Sequence, residues 1–470
     1  MIIILTVNIF KLQFLMRSAI FSVSGLRGVI NQDLTPEVIY RYCEAFSEFI
    51  GGKKIIIGRD NRPSSYYLAQ DVYWIFSQLG YEVYNLGVAP TPMTVFLTKK
   101  LQADGGIEIT ASHNPENWNG LKFISGAGRF FYEEELTEFK KIIRHKRLSK
   151  PYSRAKSAEE LLRISKNFVV INEQAVEEYL QAIILARYFQ NIKPRSLRIG
   201  IDCNNGATEF LIQRLLTKLG HQVFPLNPPC YGFCRAPEPT PENLSALARF
   251  VRVQKLDFGI AFDPDGDRVA FVDEKGIPLS EEQTLLLAIL YLFPKWSGPV
   301  VVNNATSMAV EELSAKFQFS VYRTKIGEAN VIKKIEEVDA LVGGEGNGGV
   351  ILPEINKARD GILASAIVVN LISQSGNTLS EIRKSLPKYY MAKQVIYVYN
   401  KDWQSLLKKK LKMATESKID MLDGIKIISK DHWLLVRKSN TEPALRIIVE
   451  GKSKKQIRQL ITEIINLLAR

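Results

Sequence analysis

Two things are scarce in this sequence: thiols and long apolar runs. Four cysteines, at 43, 203, 230 and 234, are too few for a disulfide framework in 470 residues, which favours a reducing, cytoplasmic setting. Cys230 and Cys234 form the close pair, but a zinc site wants two more soft ligands and only His221 lies near in sequence, so two reduced loop thiols are expected. No segment reaches the roughly 20 uninterrupted apolar residues of a membrane span. The opening MIIILTVNIFKLQFLM is apolar but short, with no basic region ahead and no small-residue cleavage site behind, and fits neither a signal peptide nor a span. Met16 is a candidate start of translation, which would make residues 1–15 an extra piece. A concentrated basic patch is missing too. The net charge of +13 is spread out, and its densest runs, KKIIRHKR (140–147) and KKKLK (408–412), suit exposed helix faces or linkers. Neither nucleic acid nor a membrane is therefore expected as a partner, while a positive field still suits an anionic small molecule.

What is present is an ordinary globular composition, 46% hydrophobic and 24% charged with Gly and Pro dispersed, in a chain long enough for about three or four domains. One pattern recurs three times: strand, turn, amphipathic helix, strand. Its instances are KKIIIGRD (53–60), helix 64–79 and YEVYNLG (81–87); LRIGIDCNNG (197–206), helix 208–219 and HQVFPLN (221–227); GPVVVNN (298–304), helix 307–316 and FSVYRTKIG (319–327). Each predicts an α/β unit with a parallel crossover. After Pro387 the order changes to strand (394–400), helix (402–415), strands 425–430, 432–438 and 446–451, and a helix from 453, the pattern of a small α+β domain. The expected domains are 17–160, 161–276, 277–387 and 388–470, with the polar, basic stretch 146–167 as the first boundary region.

Four polar or glycine-rich loops carry the chemistry, one per expected domain, and loops beyond strand ends can close on a single cleft. In Asp263-Pro-Asp265-Gly-Asp267-Arg268, alternate carboxylates on an extended segment project to one side and Gly266 permits a tight turn, so three oxygens can converge on a hard divalent cation. An EF-hand is excluded despite Glu274 at the twelfth position, because Arg268 stands where that loop needs glycine. In Thr110-Ala-Ser112-His113-Asn-Pro, a hydrolase nucleophile is a weak reading: adjacent side chains on an extended segment point apart, and the G-x-S-x-G elbow is absent. A plain Ser/Asn/Pro turn is a second reading. A phosphate on Ser112 is the third, and it explains both loops together, since its negative charge would complete the ligand set of the three aspartates. Arg437-Lys-Ser439-Asn440-Thr441-Glu-Pro-Ala-Leu-Arg446 offers the forked and backbone donors a phosphate monoester needs, or is a hairpin turn. Gly343-Gly-Glu345-Gly-Asn347-Gly-Gly lets backbone approach a ligand, with Glu345 and Asn347 offering an acceptor and an amide.

Taken together and in order, SGLRG (24–28), TASHNP, NGLKF (119–123), DPDGDR, GEGNGG and RKSNTEP closely resemble the α-D-phosphohexomutase superfamily of phosphoglucomutases, phosphomannomutases and phosphoglucosamine mutases, over roughly residues 20–450. The resemblance implies a heart-shaped α/β protein: three related α/β domains with mixed sheets, a C-terminal α+β domain, and one cleft loop from each. It implies Ser112 as phosphoserine, itself a metal ligand with Asp263, Asp265 and Asp267 to one Mg²⁺ per chain, and Arg27, Lys122 and Arg268 around the transferring phosphoryl group. By the same carry-over, Thr324, Lys325, Gly327, Glu345 and Asn347 meet the sugar, and Arg437, Ser439, Asn440, Thr441 and Arg446 grip the distal phosphate. Two departures stand out. The sugar loop has Asn347 and Gly349 where the family often has Ser and His, leaving Lys122 or His113 as general base, and the opening reads FSVSGLRG instead of carrying Gly-Thr before Ser-Gly.

The expected function is a phosphohexose mutase working through a bisphosphorylated sugar, with hexose 1,6-bisphosphate as activator and a phosphosugar as substrate, as monomer or homodimer. The loops look most like phosphoglucosamine mutase; phosphoglucomutase/phosphomannomutase is the alternative. A sugar-phosphate or nucleic-acid binding protein and a serine hydrolase are the rival classes.

Overall fold

The computed structural model describes residues 19–146, 168–190, 195–226, 232–397, 402–411, 418–439 and 444–468. Residues 1–15, Cys230, Asn440, Thr441 and most of the expected linker at 146–167 therefore lie outside the described residues.

All three repeats form as read. Strand Lys54–Arg59 pairs parallel with Glu82–Val88 across helix Pro63–Gln78; Arg198–Asp202 pairs with Gln222–Pro225 across Glu209–Lys218; and Val300–Asn303 pairs with Val321–Thr324 across Ala309–Phe317. The sequence pattern stops there, but the repeat continues. On its other edge each first strand takes a further parallel strand, Gly105–Ile109, Phe258–Phe262 or Val342–Glu345. That strand then doubles back antiparallel, as Trp118–Ser125, Val269–Asp273 or Gly349–Ile351. TASHNP, DPDGDR and GEGNGG are these three reversals, so they occupy one position of a repeated unit. The sheets are mixed because each reversal reads antiparallel after a parallel series. In the first sheet, strands Ile20–Ser22 and Gly25–Val29 extend one edge; Phe168–Val170, beyond the expected boundary at 160, pairs parallel with Glu82–Val88 at the other.

One apolar core runs through all three α/β units. It joins Met93 and Leu97 to Ile199, Phe262, Val302 and the buried helices Glu282–Leu292 and Gly361–Ser375. Those helices are apolar all round because they lie between layers. Asp360 caps the second one, accepting from Leu363 N at 2.9 Å as well as from Tyr179 and Asn356, which fixes the chain where it enters. Among the described residues no single helix is long and apolar enough to cross a membrane.

The C-terminal domain is an antiparallel sheet, Tyr390–Ile396, Leu445–Gly451, His432–Lys438, Ile425–Ile428 and Lys418–Asp420 in spatial order. It has its own core of Trp403, Leu434, Ile447 and Ile464 beneath helices Trp403–Leu411 and Lys454–Leu468. Its first strand begins earlier than read from sequence, and Lys418–Asp420 is additional. The domain docks on the third α/β unit through Trp433, Leu435 and Ile448 against Ala305, Met308 and Ile326. Glu450 accepts from Met308 N across that seam and from Trp433 Nε1 within its own sheet.

Cys234 corrects the reduced-thiol expectation: it is disulfide-bonded. The loop turns sharply at Gly232, φ 83°, and the N–H groups of Cys234 and Arg235 both donate to Asn204 Oδ1, pinning it.

Lys426 is buried at the same seam, 2% exposed, with Nζ donating to Asn304 O at 2.6 Å and lying 4.2 Å from the Trp433 ring centre. Burial first, and then Arg323, pulls its pKa down to about 7, against a partial offset from Glu311, Glu450 and Asp420. Between that value and the unfolded 10.5 the folded chain holds fewer protons than the unfolded one, so this group makes stability rise with pH across the window. Replacing Lys426 by Met should leave the variant's unfolding midpoint, relative to the parent, highest near pH 7 and falling toward pH 10. Denaturant titrations at several pH values measure this, and a pH-independent difference contradicts it.

Candidate active site

Ser112 sits where the first reversal leaves strand Gly105–Ile109, held at φ 51°, a left-handed conformation uncommon outside glycine. Its N–H donates to Thr110 Oγ1 at 2.8 Å and its Oγ donates to Asp263 Oδ2 at 3.0 Å. Here the expected extended segment is wrong. The positive φ makes a turn, and Ser112 Oγ lies 3.4 Å from His113 Nδ1 instead of pointing away from it. DPDGDR is likewise a turn, with Gly266 at φ 69°, and its aspartates converge through that reversal and not through strand alternation.

Asp263, Asp265 and Asp267 are all fully buried, and one oxygen from each lies within 4.8 Å of the others. Asp265 Oδ1 and Asp267 Oδ1 have no hydrogen bond. A set of hard carboxylate oxygens with unsatisfied capacity fits Mg²⁺. The first domain grips this loop from the side: Thr91 N donates to Asp265 O, and Thr91 Oγ1 to Asp265 Oδ2. Glu274 is engaged elsewhere, accepting from Ser380 N, as the exclusion of an EF-hand requires.

Cations from a neighbouring strand and a further loop close around the acids. Lys122, on strand Trp118–Ser125, donates to Asp265 Oδ2 at 2.5 Å and Asp267 Oδ2 at 2.8 Å. Arg359, which no motif marked, donates to Asp267 Oδ2 at 2.7 Å, Glu345 Oε2 at 3.1 Å and Glu328 Oε2 at 3.0 Å. Arg268 reaches Glu238 Oε1 at 2.6 Å, and Arg27 donates to Asn114 Oδ1 at 2.9 Å. Burial pushes the Asp263 carboxyl up, reinforced by Asp267 and Asp265. Burial acts on Asp267 too, but Arg359, then Lys122 and Arg268, hold it far below the usual carboxylate range. Burial lowers Lys122, yet Asp265 and Asp267 prevail and its pKa ends raised. Arg268, then burial and Arg27, hold His113 well below its ordinary value. Burial brings Arg27 down to about 10 although Asp265 opposes it.

Glu345 is nearly saturated. Its Oε1 accepts from Asn303 Nδ2 at 2.7 Å and Gly327 N at 3.1 Å, and its Oε2 from Arg359 and from Asn347 Nδ2 at 3.4 Å. It thereby ties the GEGNGG reversal to the loop 324–327, where Thr324 bonds Lys325 O and the Lys325 side chain is exposed. Asp423 joins the fourth domain to the same loop, accepting from Ile326 N at 2.9 Å and from Arg437 Nε at 3.1 Å. Arg437 is buried; Arg446, opposite it in the strand register, is exposed. Ser439 N donates to Ala444 O at 2.8 Å, closing the hairpin.

Comparison with known proteins matches these units one by one. Family models described as phosphoglucomutase/phosphomannomutase alpha/beta/alpha domains I, II and III match residues 18–150, 177–276 and 280–390, and the model of the C-terminal domain matches 402–467. A phosphoglucomutase/phosphomannomutase of Thermococcus kodakarensis is 34% identical, with 96% of this chain and 98% of that one covered. The chain belongs to the phosphoglucomutase/phosphomannomutase family. A probable phosphoglucosamine mutase of Methanopyrus kandleri is 33% identical over 96% of this chain and 98% of its own. The crystal structure of a putative phosphomannomutase from Thermus thermophilus superposes with a TM-score of 0.80 at 25% identity, covering 96% of this chain and 99% of that one.

For a member of this family, the residues that motif reading passed over include two that bind motif to motif, Arg359 and Asp423, and Glu238, which pairs with Arg268. Only their acid or base character distinguished them in sequence, and their partners are distant, as with the 92 positions between Asp267 and Arg359.

Gly266 shows how tightly the metal loop is built. A Cβ there would meet Thr208 Cγ2 at 2.3 Å and Pro90 Cβ at 3.1 Å, on a backbone already left-handed. Gly266→Ala is expected to cost about 1–3 kcal/mol of stability and to weaken Mg²⁺ binding. Urea unfolding with and without Mg²⁺ checks it, and an unshifted midpoint in both would refute the packing argument.

Proposed function

We propose that this enzyme is a Mg²⁺-dependent phosphohexose mutase, interconverting hexose 6-phosphate and hexose 1-phosphate through a phosphoserine at Ser112 and a bisphosphorylated sugar, with glucosamine phosphate as its preferred substrate. The observation that carries this reading is the bond from Ser112 Oγ to Asp263 at 3.0 Å, inside a buried acidic cluster ringed by cations. A hydroxyl placed there is poor ground for hydrolysis. It suits a phosphate whose charge must be neutralised on every side.

Asp263, Asp265, Asp267 and the phosphate on Ser112 would hold the single Mg²⁺, which when bound supplies charge neutralisation at the phosphoryl oxygens. Arg27, Lys122 and Arg268 orient that phosphoryl group and offset its charge. In the first half-reaction the bond between Ser112 Oγ and phosphorus breaks as one forms between phosphorus and a sugar hydroxyl oxygen. The hydroxyl's proton goes to a base, for which His113, beside Ser112 Oγ, is the better-placed candidate on geometry, and the departing Ser112 Oγ takes a proton back from the same imidazole. In the second half-reaction the other phosphate returns to Ser112, after the sugar has turned end for end. Arg437 and Ser439, with Asn440, Thr441 and Arg446, grip whichever phosphate is not reacting, while Thr324, Lys325, Gly327, Glu345 and Asn347 form the sugar side of the cleft. A chain whose serine has lost its phosphoryl group needs a hexose 1,6-bisphosphate to recharge it, which makes that compound the activator.

Relatives of near-equal similarity carry both names, phosphoglucosamine mutase and phosphoglucomutase/phosphomannomutase, so glucose or mannose phosphate is the alternative substrate class. Assay of glucosamine, glucose and mannose 1-phosphates with Mg²⁺ and the matching bisphosphate tests both. Glucosamine 1-phosphate should give the highest kcat/KM, EDTA should abolish turnover, and Ser112→Ala should lower it by at least about a thousandfold. Absence of isomerisation of every sugar by the parent enzyme sinks the reading.

A further inference from the structure

Arg62 lies in the stretch GRDNRPSS, which the mutase motifs do not include. It precedes Pro63 at the start of helix Pro63–Gln78 and is 1% exposed. A guanidinium has five N–H donors in a fixed plane, and all five of these are used. Nε donates to Asp60 Oδ2 at 2.9 Å. Nη1 donates to Pro115 O at 2.7 Å and Trp118 O at 3.0 Å, and Nη2 to Ser112 O at 2.5 Å and Asn114 O at 2.9 Å. Four backbone carbonyls of the serine loop thus converge on one side chain about 50 residues away, an arrangement that would leave them facing one another without it.

Asp60 completes the device. It accepts from Arg62 N and Nε, from Ser65 Oγ and from Thr110 Oγ1, and Thr110 Oγ1 in turn accepts from Ser112 N. Both peptide groups of Ser112, the N–H through Thr110 and the C=O directly, are therefore held by the Asp60–Arg62 pair. That is what keeps a non-glycine residue at φ 51°. The second α/β domain covers the pair: the Phe233 ring centre is 4.8 Å from the Arg62 guanidinium carbon, and Asn61 Nδ2 bonds Asn205 Oδ1 at 3.0 Å.

We propose that Arg62 is a positioning residue for phosphoryl transfer, setting the direction of Ser112 Oγ toward the metal cluster without itself touching the sugar phosphate, and that Phe233 holds the guanidinium in plane from the neighbouring domain. The inference rests on Ser112 as the phosphoryl carrier. Misaiming a reacting atom by about 1 Å costs on the order of 100-fold in rate while leaving remote binding contacts intact. Arg62→Lys keeps the charge beside Asp60 but loses the planar fork.

The test is steady-state kinetics of the full chain with Mg²⁺ and bisphosphate, together with single-turnover transfer of phosphoryl from the bisphosphate to Ser112 followed by intact mass. Arg62→Lys should lower kcat and the transfer rate by about 10- to 100-fold with KM for the sugar phosphate within about twofold. Phe233→Leu should show the same split with a smaller loss, about two- to fivefold. An unchanged kcat per folded molecule, or a loss carried by KM, overturns the proposal. If Arg62→Lys does not fold, Phe233→Leu decides by the same criterion. Parent enzyme and Ser112→Ala run alongside: a parent without mutase turnover, or a fully active Ser112→Ala, removes the phosphoserine reading itself, an outcome distinct from failure of Arg62 alone.

Discussion

Three carboxylates with no solvent exposure, contributed by one six-residue turn, set the terms for the rest of this molecule. Moving even one carboxylate out of water costs several kcal/mol unless it is paired and hydrogen-bonded. No single loop can pair three. Lys122 comes from the first α/β unit, Arg268 from the turn itself, and Arg359 from the segment leading into the buried helix Gly361–Ser375. Thr91 adds a hydroxyl and a backbone N–H from the first unit. The electrostatics of the turn therefore require that the three units sit together, and the continuous apolar core beneath them is the packing that holds the arrangement.

The units can meet this way because each delivers its loop from the same place. A parallel strand followed by an antiparallel return leaves a short reversal at the carboxyl end of a central strand. In the first unit that reversal carries Ser112, in the second the aspartates, in the third Glu345. The fourth domain has no parallel series, yet it too presents a hairpin, closed by Ser439 N to Ala444 O, and leans on the third unit through Asp423 and Glu450.

The strand–helix–strand units were legible because their signals are local: β-branched runs, a turn, an amphipathic helix. The returning strands were not attached to that repeat in sequence, since pairing across a sheet leaves no local periodicity. Loop motifs were equally legible, and their internal geometry was not. Ser112 and His113 read as a stretch of extended chain because nothing in the pattern announces a positive φ at serine; Asp60, Thr110 and Arg62 impose it from elsewhere. Arg359 stands in KARDGI without punctuation, and its role emerges only when Asp267, Glu328 and Glu345 meet around it. Cys234 was misjudged on compartment, an argument about the whole chain that a single loop does not obey.

Glu345 shows why substrate preference is the least legible property. As a free acceptor in a glycine loop it would be a natural partner for an amine at the sugar's C2. Folded, both its oxygens are engaged, one with Asn303 and Gly327 and the other with Arg359 and Asn347. A ligand amine could recruit this carboxylate only by displacing one of these donors, and releasing Arg359 would unbalance Asp267 in turn. Amine and hydroxyl are nearly isosteric, and sites separate such pairs well only when a buried polar group depends on one of them. With Glu345 committed to holding the loops, a sugar bound on this side of the proposed site would be discriminated by groups with capacity to spare, the partly exposed Asn347 and the exposed side chain of Lys325. Discrimination is accordingly a matter of small differences in donor placement, which motif identity does not encode.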